Sequence, residues 1–137
     1  MMINIHFNNC FDNKLIFDGS MPYLDPECKY SVALKHFNLH LNENHISRDN
    51  DLWVLSTSLV NRSPINSYQC LSYFTFKKGK LTQDYVPSSV IKYPLEIHQL
   101  QNPKFEIVRV RENKPLEIKA AFIQLEISKQ CSDLVNV

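Results

Sequence analysis

The sequence predicts an all-β protein, an antiparallel two-sheet β-sandwich of jelly-roll type. Apolar residues recur at every second position in one segment after another, while no stretch holds a complete 3.6-residue stripe. The 137 residues include only 3 Ala and 2 Gly against 14 Phe and Tyr, a composition that suits pleated strands better than packed helices. The 13 Asn supply side chains that close Asx-type turns between strands. Short strands in this number and spacing, with no helix between them, are the signature of a two-layer β fold.

The elements follow in order. In residues 2–7, Ile3, Ile5 and Phe7 alternate with Asn4 and His6, as in a half-buried strand. Asn8-Asn9 and Asp12-Asn13 mark turns, and Leu15 and Phe17 form another short strand before Asp18-Gly19-Ser20. Residues 21–26, with Pro22 and Pro26, form an irregular connection. Residues 29–41 are the longest pattern. Tyr30, Val32 and Leu34 share one parity and Phe37, Leu39 and Leu41 the other, so a continuous apolar face requires a bulge or bend at Lys35 and His36.

Residues 42–51 are a polar loop. A strand over 52–60 has Trp53 and Leu55 on one face and Leu52 and Val54 on the other, which implies burial on both sides. A turn over 61–67 leads to a strand over 68–77, where parity switches between Leu71, Tyr73 and Phe74, Phe76. Lys77, Lys78 and Lys80 around Gly79 read as a solvated hairpin tip. Residues 84–91 are weakly extended and broken by Pro87. Strands are expected over 93–100, 105–110 and 116–127, the last two joined by a charged turn. Residues 1–127 form one domain, and residues 128–137 a flexible tail.

Charge and motifs narrow the function. Fifteen basic and 14 acidic residues give a net charge of +1, too even for a protein that neutralises a phosphate backbone. Direct nucleic-acid binding is not expected. No apolar run reaches the ~20 residues of a membrane span, and no membrane partner is expected. Neither Gly19 nor Gly79 belongs to a phosphate-cradling motif. Met1 to Asn4 lacks a basic, then apolar, leader, so secretion by a signal peptide is not expected. Cys10, Cys28, Cys70 and Cys131 form no CxxC pair and are expected as free thiols in a reducing compartment.

The chemistry is similarly sparse. On a strand His36 and His40 share a face but stand roughly 13 Å apart at ~3.3 Å per residue, too far for one metal ion. With His45, they read as solvent-facing or locally hydrogen-bonded side chains. Ser56, Ser58 and Ser63 lack a nucleophile elbow, and nothing marks Cys70 as a reactive thiolate. No catalytic residue, metal site or cofactor is expected, and the chain does not read as an enzyme. Asn61 and Ser63 suit a turn, and Arg62 is expected to be exposed and available to a carboxylate.

A family resemblance adds to this. The strand and polar turn LWVLSTSLVNRSPIN (52–66) resemble those of small jelly-roll capsid proteins, of penton or vertex-associated type, encoded by Polinton/Maverick elements, adintoviruses and related double-stranded DNA viruses. The order continues with CKYSVALKHFN (28–38) before it, CLSYF (70–74) and the YPL step (93–95) after it, and the closing strands 105–110 and 116–127. The resemblance spans residues 29–127 and implies a virion protein made in the host cytoplasm or nucleus.

It also implies a subunit that self-associates as a trimer or pentamer and contacts other capsid proteins. Candidate contact residues are Arg62, Pro64, Ile65 and Tyr85. Trp53 and Tyr68 also qualify, but core packing is the favoured reading for both. The alternative is a receptor- or carbohydrate-binding head in which Tyr23, Tyr85 or Tyr93 stacks on a surface receptor or glycan.

Overall fold

The computed structural model of the chain describes residues 1–11, 13–42, 52–62, 69–77, 79–110 and 117–130. Its strands are β1 (Met2–Phe7), β2 (Cys10–Phe11), β3 (Lys14–Leu15), β4 (Lys29–Leu41), β5 (Leu52–Thr57), β6 (Cys70–Thr75), β7 (Thr82–Tyr85), β8 (Tyr93–Pro94), β9 (Phe105–Arg109) and β10 (Ile118–Gln130). One sheet runs β1-β10-β4-β7, with β8 also paired to β4, and the other runs β2-β3-β9-β5-β6. All pairings are antiparallel. The two sheets face each other as a β-sandwich, and the chain passes from one to the other as it proceeds.

The long strand β4 bends where its apolar parity changes. Against β10, His36 pairs with Gln124 and Leu34 with Leu125, so Lys35 is the extra residue of a bulge. Before the bulge Val32 and Leu34 point inward; after it Phe37, Leu39 and Leu41 do, each at most 4% exposed. The bulge keeps one apolar face continuous along 13 residues. In β6 the switch falls earlier than expected. Leu55 pairs with Ser72 and Ser56 with Cys70, which makes Leu71 the bulged residue. Tyr73 therefore turns outward and is 51% exposed, while Phe74 and Phe76 are buried.

Rings join the two sheets. Phe37 of β4 lies 5.0 Å from Phe74 of β6, and Phe7 of β1 lies 5.2 Å from Phe105 of β9. Trp53 stacks on Phe76 at 4.8 Å and is 2% exposed, a core residue rather than a contact surface. Ile107, Ile123, Leu39, Leu55 and Leu125 fill the space between these rings and are fully buried. Val54, on the opposite face of β5 from Trp53, is also fully buried, as two-sided burial of this strand requires.

Several expected elements differ. The strand expected over 52–60 stops at Thr57, and Ser58 and Leu59 lie in a turn. The strand expected over 93–100 is only Tyr93–Pro94, followed by a 3-10 turn at Ile97–Gln99. Leu95 N still donates to Tyr30 O of β4 at 3.0 Å, and the backbone leaves the sheet at Glu96, whose N donates to Leu59 O at 2.8 Å. Residues 128–130, expected in the tail, belong to β10, which continues through Gln130 opposite Lys29, and residues 131–137 lie outside the described residues. The Met1 amino group donates to Ile127 O at 2.9 Å, and Ile127 N donates back to Met1 O at 2.8 Å.

The lysine-bearing turn is also not a hairpin tip. β6 and β7 lie in different sheets, so the chain crosses the sandwich between them. Gly79 sits there at φ 77°, a left-handed conformation that only glycine adopts without strain. The crossing is held from below by Gln83, which is 6% exposed. Its Oε1 accepts from Lys77 N at 2.9 Å, and its Nε2 donates to Lys77 O and Lys80 O at 2.8 and 2.9 Å.

Two substitutions test this arrangement through urea unfolding followed by Trp53 fluorescence. Phe37→Ala opens a cavity between the sheets and is expected to cost about 3–5 kcal/mol. Gln83→Ala leaves three backbone groups without their partner and is expected to cost about 1–3 kcal/mol.

Candidate functional site

The sandwich is open where β6, at the edge of one sheet, faces β7 and β8 at the edge of the other. Leu34 of β4 and Leu71 of β6, both buried, form the floor of a cleft of about 170 Å³. Leu71 reaches the floor because the β6 bulge turns it inward. Tyr73, Tyr85 and Tyr93 form the walls, with Pro87, Ile91 and the hydroxyl-bearing Ser72, Ser88 and Ser89 completing the rim. No charged side chain lines it among the described residues. Pockets that enclose drug-sized ligands run about 300–1,000 Å³, so this one fits a single ring or side chain.

Each tyrosine is placed by its strand. Tyr85 pairs directly with Phe37 and its ring lies 5.6 Å from Phe74, so it closes the core on one side and lines the cleft on the other. Tyr93 begins β8, whose second residue, Pro94, sits at a sheet edge where its missing N–H breaks no ladder. Arg62 is not free as expected. It is half-buried, its guanidinium carbon lies 4.0 Å above the Tyr93 ring, and its Nε has no hydrogen-bond partner among the described residues. A guanidinium on an aromatic face stabilises both groups by about 0.5–2 kcal/mol.

Of the four expected contact residues, Tyr85 lines this cleft and Arg62 packs on its wall. Pro64 and Ile65, like Tyr68, lie outside the described residues. The sequence does not mark Tyr73 as a contact residue, because its place in an apolar run reads as core until the bulge is known. Tyr23 stands apart from the cleft, 85% exposed, beside a groove of about 620 Å³ bordered by Pro22, Ile97 and His98.

The histidines occupy the outer face of the other sheet. Lys35 as the bulged residue sends His36, Asn38 and His40 outward together. His36 Nε2 lies 2.6 Å from Asp84 Oδ1, Asn38 Nδ2 donates to the same oxygen at 3.0 Å, and His40 Nδ1 lies 3.0 Å from Thr82 Oγ1. They are locally hydrogen-bonded, as the sequence suggests. Phe122 of β10 stands between His6 and His36, with ring centroids 4.7 and 5.5 Å away. His6, Phe122, His36 and Asp84 thus form one chain of contacts across β1, β10, β4 and β7. His45 lies outside the described residues, and among those described no group of three or more His, Cys, Asp or Glu could hold a metal ion.

The thiols Cys10, Cys28 and Cys70 are free, and Cys131 lies outside the described residues. Burial pushes the Cys70 thiol up, with the charge of Arg62 pulling the other way, and burial also raises Cys10. Both shifts disfavour the nucleophilic thiolate.

The hydrogen bond from Asn38, then that from His36, hold the Asp84 carboxyl below its ordinary 3.8. A depressed carboxylate stabilises the fold above its unfolded pKa and loses that contribution as pH falls through the folded value. With the side chain 58% exposed, solvent screening limits the effect to less than about 1 kcal/mol. Wild type is therefore expected to exceed Asp84→Asn in urea stability slightly at about pH 6, with the difference lost as pH falls below 3.8 and through the lowered folded value.

No protein-family model matches the chain, and no solved structure matches it, leaving its own residues and strand order as the basis for function.

Proposed function

We propose that the chain is a non-enzymatic structural subunit of a virus-like shell, a jelly roll of penton, vertex or minor-capsid type that acts by self-assembly. The observation that carries this is the strand order. With β2/β3 counted as one arm and β7/β8 as another, the neighbours within the sheets are first with last, second with seventh, third with sixth and fourth with fifth. A long hairpin rolled into two layers has that pairing, and the jelly roll is the architecture of many capsid domains.

Capsid, lectin and cupin domains share it, so the choice among them rests on surfaces. The space between the sheets is filled by rings and aliphatic side chains. What the described surface offers instead is apolar side chains at tips and edges: Phe11 is 69% exposed, Val86 64% and Tyr23 85%. Such residues suit contact with further copies of the chain and with other shell proteins.

Light scattering on the purified chain after size-exclusion chromatography tests the proposal. A trimer or pentamer is the expected outcome, and a strict monomer at high concentration would refute it.

The three-tyrosine cleft favours a second reading, recognition of a surface receptor or glycan, because phenol rings stack on sugar faces while serine hydroxyls meet their polar edges. On a glycan array this reading expects a signal that Tyr93→Ala abolishes. An empty array would remove it.

A further inference from the structure

We propose that the Tyr23 tip of one copy inserts into the tyrosine-walled cleft of the next, an inference that rests on the shell reading and names its contact. Tyr23 is 85% exposed, the most exposed large apolar side chain described. The tip is nevertheless held firmly. Leu24 beside it is 8% exposed and belongs to the core, Asp25 N donates to the Tyr30 hydroxyl at 3.2 Å, and Glu27 N donates to Asp25 Oδ1 at 2.9 Å. Pro22 and Pro26 on either side further limit its freedom. A pre-ordered ring gives up little conformational entropy on binding.

The receiving surface fits in size, chemistry and charge. At about 170 Å³, with Leu34 and Leu71 beneath and phenol walls, the cleft admits one aromatic side chain edge-to-face with its tyrosines. Serine hydroxyls at the rim meet the phenol oxygen. Residues 16–28 carry Asp18, Asp25 and Glu27, of which Asp25 interacts with Lys129 of β10, and residues 86–93 carry Lys92 and no acidic residue. Arg62 adds a second cation behind Tyr93.

Knob and cleft are different patches, so each copy gives one contact and receives one. That relation is heterologous and closes into a ring when the rotation between neighbours divides the circle. Tyr23 borders the groove of Ile97 and His98 and is not among the residues that line the cleft of its own chain.

The test is self-association of the full chain measured by sedimentation equilibrium in the analytical ultracentrifuge, with far-UV circular dichroism checking each variant's fold. Tyr23→Ala is expected to weaken association by about tenfold or more. Glu27→Lys and Lys92→Glu, both at exposed positions, are each expected to weaken it, and the two together to restore it. Should wild type assemble while Tyr23→Ala and Glu27→Lys associate as tightly, this contact is refuted and the shell reading stands on another surface. A wild-type monomer at every concentration refutes both.

Discussion

The packing of aromatic rings between the sheets is the interaction on which the rest of this molecule depends. Phe37 against Phe74 and Phe7 against Phe105 tie β4 to β6 and β1 to β9, strands distant in sequence and in different sheets. Rings of this size dominate the area a small domain removes from water. They also fix where the sandwich can open. Tyr85 is the last ring of the row, against Phe74, and beyond it the edges of the two sheets separate over the floor of Leu34 and Leu71.

Two bulges adapt the strands to that packing, and each has a consequence at the surface. The extra residue at Lys35 keeps β4 apolar on its inner face and, by the same shift of parity, sends His36, Asn38 and His40 to the solvent side. The extra residue at Leu71 lets Phe74 and Phe76 face inward and turns Tyr73 out to become a wall of the cleft. A β-bulge re-aims side chains because the face of a strand alternates at every residue.

The sequence discloses the first bulge better than the second. In β4 three apolar residues on each side of Lys35-His36 define both parities, so only a bulge reconciles them. In β6 Tyr73 carries an apolar ring and a polar hydroxyl and fits either face, which moves the apparent switch past Leu71. The 93–100 segment alternates like a strand, yet its ladder to β4 ends with the Leu95 N–H on Tyr30, and the next N–H, of Glu96, turns to Leu59 before the chain enters the 3-10 turn. Gln83 has the same difficulty: a polar residue in a weak strand shows no sign that it holds the turn from β6 to β7. Within the candidate site Tyr85 is legible as an aromatic in an extended segment. The position of Arg62 on Tyr93 is not, because 30 residues intervene and only the fold brings the two together.

The edges of the sheets bear on how copies of such a subunit meet. Beside the cleft one sheet ends in the four residues of β7 and the two of β8, and Pro94 in β8 has no N–H to offer. At the far end of the other sheet β2 is also a two-residue stub. Short edges and an edge proline are the devices by which β proteins avoid adding strands from a neighbour. Strand addition is therefore disfavoured at the β7/β8 edge beside the cleft, whereas β6, the edge across it, is six residues long and carries no proline. Association at the β7/β8 edge therefore runs through side chains, and side-chain contacts between unlike patches set a definite rotation from one copy to the next, where open-ended strand pairing would favour aggregation.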